Sequence, residues 1–299
     1  MLRLGPNGFD ARGRCTVPPM TTPSKLSGTV ELAARIEAAD VELLDACAQA
    51  AERRGAPGVI RQRLAGGIAT WTESGSPLCK VAGLGFDGIP TQAELAEVEA
   101  AFEARDTPVQ VELSSLADPG VAALLAERGY RYIGCENLLA RSLDPSSVAP
   151  PAGAIEVRES PLEDLDLWLD VVVTGFASPD ARGVASHESF PRDALERTMR
   201  DMVTAGGFRR TIAWRDGVAL GGGAIRISTG GVAQFCGAAT LPQHRRQGAQ
   251  AALLTARLAD AASAGCTLAV VTTQPGSTSQ QNVERHGFEL VGVRVVLVW

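Results

Sequence analysis

The sequence predicts a mixed α/β fold arranged as two tandem domains, and three observations predict it. Helical and strand-like hydrophobic periods alternate through the second half without the regularity of repeated βαβ units. The ending "NVERHGFELVGVRVVLVW" matches "LLAERGYRYIGCENLLAR" near the middle when Gly287 is set on Gly129, Phe288 on Tyr130 and Gly292 on Gly134. A Pro/Ser/Ala seam, "LDPSSVAPPAGA" (143–154), lies between the copies. The reading therefore assigns a first domain to 27–144, a linker to 145–154 and a second domain to 155–299. Residues 1–26 are rich in Gly, Pro and Arg. They lack the apolar core of a signal peptide and are expected to be disordered, with Met20 as an alternative start.

The second domain is predicted element by element. A strand runs through "AIEVRE" and a helix starts near Pro161. The loop "ASPDARGVASHES" leads to a helix at Pro191, with Ser189 near its cap. Strands follow at "RRTIAWR", "VALGGGAIRIS" and "GVAQFCGAAT", the triple glycine reading as a kink or bulge. Then come a helix from Gln250 to Ala264, the strand "TLAVVTT", a short helix through "SQQNVERH" and two last strands. In the first domain, "VQVELSS" falls on "TLAVVTT" and Gln92–Asp106 falls on the long helix. "RIEAADVELLDACAQ" reads as a strand, a capped start and a helix.

Composition narrows the function. The chain has 299 residues and a formal net charge of −6, which argues against coating nucleic acid or an anionic membrane. No run is long enough to span a bilayer. The six cysteines are scattered without a CxxC pair, as expected of free thiols in a reducing cytoplasm. The three histidines, His187, His244 and His286, have no ligand spacing, so no metal site is expected.

Against that acidic background, "LPQHRRQGAQAALL" (241–254) sets two arginines, a glutamine and a glycine before an Ala/Leu run. Leu254, Leu258 and Ala261 recur at helical spacing, so the polar cluster stands at a helix N-terminus. There the first backbone N–H groups lack partners and the dipole end is positive. Gly248 lets a ligand approach the backbone, and Arg245 and Arg246 add charge. This is the composition of a phosphate site, although arginines before a helix are also common on solvated surface.

This segment resembles the hallmark of the GNAT acyltransferase superfamily, V-x-P-x-x-R-x-x-G-x-G/A after a strand. Here it reads "TLPQHRRQGAQ", with Thr240, Pro242, Arg245 and Gly248 in place and Gln250 where Gly or Ala is usual. Gly287-Phe288 is similar to the family's second motif, a G-F pair between a short helix and a strand. The resemblance covers 155–299 in element order. It implies acetyl-CoA as co-substrate and no metal. Backbone N–H groups of Gln247, Gly248, Ala249 and Gln250 would cradle the pyrophosphate, flanked by Arg245 and Arg246. Ala239, Thr240 and Leu241 would pair with the pantetheine arm, and the thioester would lie between two splayed strands, its carbonyl polarised by a backbone N–H. An acceptor amine would attack directly in a ternary complex.

Two family positions depart. The tyrosine that protonates the leaving thiolate in many members is Val283 here, and the glutamate that serves as base aligns near Gln234. Asn282, Ser279 or a water would hydrogen-bond the sulfur, and His187 or Glu188 would act as base from the loop. The plainer reading makes Asn282 and Ser279 helix-start hydrogen-bonders and leaves His187 and Glu188 on the loop surface. Cys236 reads as a packed thiol.

The first domain reads as a degenerate copy. Asp87-Gly88-Ile89-Pro90 falls on Arg245-Arg246-Gln247-Gly248, so both arginines are gone, and Pro90 removes one N–H. Thr91 and Glu94 form a capping box. One feature favours a different cofactor: "GLGFDG" (83–88) is a literal G-x-G-x-x-G after a strand, with Glu112 downstream where a dinucleotide fold wants an acid. Three functions are therefore weighed. The first is an N-acetyltransferase acting on a small-molecule amine. The second is a non-catalytic acyl-CoA sensor, and the third a dinucleotide-binding protein. The degenerate copy would wall the acceptor pocket or mediate a homodimer.

Overall fold

The computed structural model describes residues 26–144, 154–178 and 190–299. The first half runs α1 (Val30–Arg54), β1 (Ile60–Leu64), β2 (Gly67–Trp71), β3 (Lys80–Ala82), α2 (Gln92–Glu103), β4 (Gln110–Ser114), α3 (Pro119–Glu127) and β5 (Arg131–Ser142). The second half runs β6 (Glu156–Glu159), α4 (Leu165–Phe176), α5 (Arg192–Thr204), β7 (Phe208–Arg215), β8 (Val218–Ile227), β9 (Val232–Thr240), α6 (Ala249–Ser263), β10 (Leu268–Thr273), α7 (Thr278–Glu284) and β11 (Glu289–Val298). With Gly129 set on Gly287, α2, β4, α3 and β5 fall on α6, β10, α7 and β11.

The eleven strands among the described residues form one sheet in the order β1-β2-β3-β4-β11-β5-β10-β9-β8-β7-β6. The two halves exchange their last strands. β11 lies between β4 and β5, and β5 lies between β11 and β10. The β5–β11 pair is antiparallel, with Arg131 opposite Val298 and Ala140 opposite Glu289. In the repeat alignment Arg131 corresponds to Glu289 and Ala140 to Val298, so this pair lies across an approximate two-fold axis.

This exchange corrects one expectation. Two strands were expected after Gly287, and one is present, because β5 supplies the neighbour that a second strand would have been. Gly292 takes part in a bulge within β11 rather than a turn. The strand expected at the start of "RIEAADV" is also absent. Thr29 caps α1 by accepting from the Leu32 N–H at 3.2 Å, and the helix runs unbroken from Val30. Its buried Ile36, Ala39, Leu44, Cys47 and Ala51 recur at helical spacing.

Separate cores lie under the two halves. Leu64, Leu84, Leu95, Phe102, Val111 and Leu125 fill the first. Leu139, Phe235, Leu254, Leu258, Val271, Val283 and Phe288 pack beneath α6 and α7 in the second. Trp168, Leu169, Met199 and Ile212 hold α4 and α5 on the opposite face. Charged side chains also cross between halves. Arg294 on β11 reaches Glu37 and Asp40 on α1, and Arg226 on β8 reaches Glu42 at 2.7 Å. Among the described residues no helix is long and apolar enough to cross a membrane.

Candidate functional site: a cleft between two parting strands

β9 and β10 are parallel neighbours, but they pair only over Val232–Gln234 and Leu268–Val270. Beyond that point β9 continues to Thr240 and β10 to Thr273 without pairing. The strands part, and the edge of β9 facing β10 is left without a strand partner. A cavity of about 1130 Å³ opens there. Phe235 to Thr240 form one wall and Val271 and Thr272 the other. The start of α6, the inner face of α7 and the end of α4 at Gly175 and Phe176 complete it.

The neighbouring strand explains how β9 bends into this shape. Gly222 pairs with Ala239 but Ala224 pairs with Cys236, so Gly237 and Ala238 bulge opposite Gly223. The triple glycine is a packing requirement on both faces. A Cβ on Gly222 would stand 2.9 Å from Val172 of α4, and one on Gly223 would stand 3.1 Å from the Arg257 guanidinium of α6.

The mouth of the cleft is a helix start. Gly248 is the N-cap of α6 with φ +90°, and no side chain caps the helix. Arg246, two residues earlier, has φ +60°, a strained conformation outside glycine. The first N–H groups of α6 therefore face the cavity with the positive end of the helix dipole behind them. Gln250 turns its amide across the mouth and donates to Thr240 Oγ1 at 3.0 Å, tying strand end to helix start. The arginines 245, 246, 257 and 285 line the cavity, and no Asp or Glu does among the described residues. Such an arrangement can accept a long ligand with its anionic end at Gly248.

Comparison with known proteins agrees. A model of the acetyltransferase (GNAT) family matches residues 177–288, which hold β7 to α7 and nearly the whole cleft. Over that stretch the chain is similar to the GNAT family. The fold is similar to that of a GCN5-related N-acetyltransferase from Kribbella flavida, with TM-score 0.61 and 22% identity over 89% of this chain and 95% of that one. It is also similar to a tandem GNAT protein from the clavulanic acid biosynthesis pathway, with TM-score 0.58 and 17% identity over 92% of this chain and 96% of that one. A third, a GCN5-related N-acetyltransferase from Sphaerobacter thermophilus, gives 0.52 and 15% over 89% and 93%. No curated relative matches the sequence.

The cleft gathers most of the residues read from the motif. Ala239, Thr240, Arg245, Arg246, Gly248, Ala249, Gln250, Ser279 and Asn282 all line it. Two do not. The Leu241 N–H is used by the Leu220 carbonyl at 3.0 Å. Gln247 faces Arg215, which donates to its side-chain and backbone oxygens at 3.0 and 2.9 Å. Arg245 is only partly free, because its Nη2 donates to the Ser178 and Gly175 carbonyls at the end of α4. The anion site thus rests on Gly248 and its neighbours, with Arg246 as the more exposed cation.

The catalytic candidates fare less well. Gln234 stands outside the cavity, because alternation along β9 turns it to the face opposite Phe235. There it accepts from Arg226 Nη1 at 3.2 Å and donates to Asp40. His187 and Glu188 lie outside the described residues. Ser277, not Ser279 or Asn282, caps α7. Asn282 Oδ1 accepts from Arg285 at 3.2 Å. Val283 is buried in the core under α7 and offers no proton. Burial pushes the Cys236 thiol up to about 12, so it is neither nucleophile nor acid at neutral pH.

Among the described residues the matching strands of the first half do not part in this way. β3 pairs with β4 up to its last residue, Ala82 opposite Glu112, and Leu84 packs into the core just beyond. Thr91 and Glu94 form the expected capping box, so α2 satisfies its own N-terminus. The first two glycines of "GLGFDG" are packed against the chain itself, which does not favour the dinucleotide reading. A Cβ on Gly83 would clash with Val41, and one on Gly85 would stand 2.8 Å from Ala117, so at both positions the backbone is packed against the chain's own side chains. Glu112 is buried and ion-paired with Lys80.

One cavity residue escaped the sequence reading. Arg257, in the middle of α6, is 2% exposed and lines the cleft. Its signal was an arginine on the apolar stripe of Leu254, Leu258 and Ala261, where a charge has no solvent to face.

Proposed function

We propose that this protein transfers an acetyl group from acetyl-CoA to a primary amine of a small molecule, with both substrates bound together. The carrying observation is the parting of β9 and β10 into a cavity that ends on the uncapped start of α6. A pyrophosphate fits the N–H groups at Gly248 to Gln250. The unpaired edge of β9 offers backbone partners to pantetheine amides. The thioester would then stand where the strands separate, near Phe235 and Cys236, and a backbone N–H of bulged β9 would polarise its carbonyl. Positioning supplies much of the acceleration in such a site. The first half serves as a degenerate copy that completes the sheet and walls the acceptor side.

A second reading has its own support. The described cavity holds no tyrosine, aspartate or glutamate, as suits an acyl-CoA sensor that does not turn over. Release of free thiol from acetyl-CoA, followed across a panel of small amines, separates the two. Acceptor-dependent thiol release supports the enzyme. Tight binding with no release on any amine supports the sensor.

A further inference from the structure

Acyl transfer from a thioester to an amine leaves an electron pair on sulfur. An alkyl thiolate with an ordinary pKa of about 8.5 is a fair leaving group in water. In a protein cleft, where bulk water solvates it less, it leaves more readily with a proton or a cation beside it. Among the described lining residues Thr272, Thr278, Ser279 and Asn282 are neutral hydrogen-bonders, Val283 is apolar and burial holds the Cys236 proton, so the cavity offers no acid of ordinary strength for the sulfur.

It does offer a cation. Arg257 lies nine residues beyond Gly248, about 13 Å down the helix from the anion site at its start. Its guanidinium sits over the Phe235 ring at 5.0 Å, beside the point where β9 and β10 part after Gln234 and Val270. Nε donates to the Leu253 carbonyl at 3.1 Å and Nη1 to the Ala224 carbonyl at 3.3 Å. Nη2 has no hydrogen-bond partner among the described residues, and the side chain lines the cavity. No carboxylate among the described residues is paired with it. Burial draws its pKa down to about 10, which still leaves it charged at neutral pH. The repeat adds an independent contrast. The matching position in the first half is Glu99, buried and held by Arg128 at 2.8 Å. That half closes the position with an ion pair, and this one leaves a buried cation facing open space.

We propose that Arg257 receives the departing coenzyme A thiolate. This rests on the acyltransferase reading above. The amine lone pair forms the C–N bond, the C–S bond breaks, and its electron pair stays on sulfur against the guanidinium. The nitrogen gives its extra proton to water, and water protonates the thiolate after release. Few other charged or titratable groups face that end. Cys236 is on β9, with Arg226 on β8 and Asp40 on α1 behind it. α7 contributes the exposed Arg285, and β10 contributes none.

The test needs no acceptor. Coenzyme A and desulfo-coenzyme A, which lacks the sulfur, are titrated calorimetrically into wild type, Arg257→Met and Arg257→Lys between about pH 6 and 9, across the thiol's ordinary titration. Phosphate ionisation is common to both probes and cancels between them. In wild type, affinity for coenzyme A should climb with pH until the free thiol ionises. It should then exceed that for desulfo-coenzyme A by on the order of tenfold or more, the scale of a charge-assisted contact. The thiolate absorbance of the bound form should appear below the free thiol's pKa. Arg257→Met should bring coenzyme A down to the desulfo level and leave the desulfo probe unchanged, which also shows that the variant folds. Arg257→Lys should keep part of the pH dependence. Equal, pH-flat binding of both probes to wild type overturns the proposal whether or not the variants fold. So does an equal loss of both probes in Arg257→Met. If neither probe binds wild type, the acyltransferase reading itself fails and the proposal falls with it.

Discussion

Arg294 on the last strand and Glu37 on the first helix form a buried ion pair, Nε to Oε1 2.8 Å, that ties the two ends of the described chain together. Asp40 also meets the guanidinium, and Glu112, itself paired with Lys80, stands 3.8 Å away. Three carboxylates around one arginine and one lysine leave an excess of negative charge in a low dielectric. Burial therefore raises Glu37 to about 7 against the pull of Arg294.

The sign of the resulting pH dependence is fixed. Between 4.5, its ordinary value, and about 7, Glu37 binds more protons in the folded chain than in the unfolded one. Its stabilising contribution is complete below that window and is lost as pH rises through 7. Glu37→Gln cannot ionise. Thermal melts should show the variant gaining on wild type from pH 5 to pH 8, by at most about 1.4 kcal/mol per pH unit. Parallel curves would show that Glu37 stays charged.

Arg294→Met leaves the carboxylates without their guanidinium. It should cost about 3 kcal/mol or more in denaturant unfolding, the scale for breaking a buried pair from one side. The loss should shrink in the double variant with Glu37→Gln, because the two sites are coupled.

In the first half, Arg128 holds buried Glu99 from the end of α3. Arg128→Ala should destabilise the chain by a similar amount while the affinity for acetyl-CoA, measured below the melting range, stays unchanged. A loss of binding would show that the first half contributes to the cofactor site.

Gly175 packs α4 against β9 so closely that a Cβ would stand 2.5 Å from that of Ala239. Gly175→Val should lower stability by roughly 1–3 kcal/mol through overpacking and weaken acetyl-CoA binding by displacing a wall of the cleft. Unchanged binding in a folded variant would argue that Ala239 does not contact the ligand.

Much of this was legible in the sequence where the signal is local. Gly129 and Gly287 aligned two sets of elements, and Arg246, Gly248 and the Ala/Leu run marked the helix start that stands at the mouth of the cleft. Thr91 and Glu94 announced a helix that caps itself. What failed was long-range. Period and burial show which face of a strand is covered, not which strand lies beside it, so the exchange of β5 and β11 left no trace. Glu37 and Asp40 sit on the buried side of α1 only because Arg294 arrives from the other end of the chain. Without that partner they read as solvated, and the segment reads as a capped start. Gln234 was misplaced for the same reason, since its partners Arg226 and Asp40 come from elements distant in sequence.

The most direct measurement is calorimetric titration of acetyl-CoA into wild type and Gly248→Glu. The substitution puts a carboxylate where the pyrophosphate would rest, at a position whose φ of +90° favours glycine. The account predicts one site per chain in wild type and none in the variant, with the variant still folded by circular dichroism. Binding that survives Gly248→Glu, or no binding to wild type, would contradict the placement of an acyl-CoA in the cleft between β9 and β10.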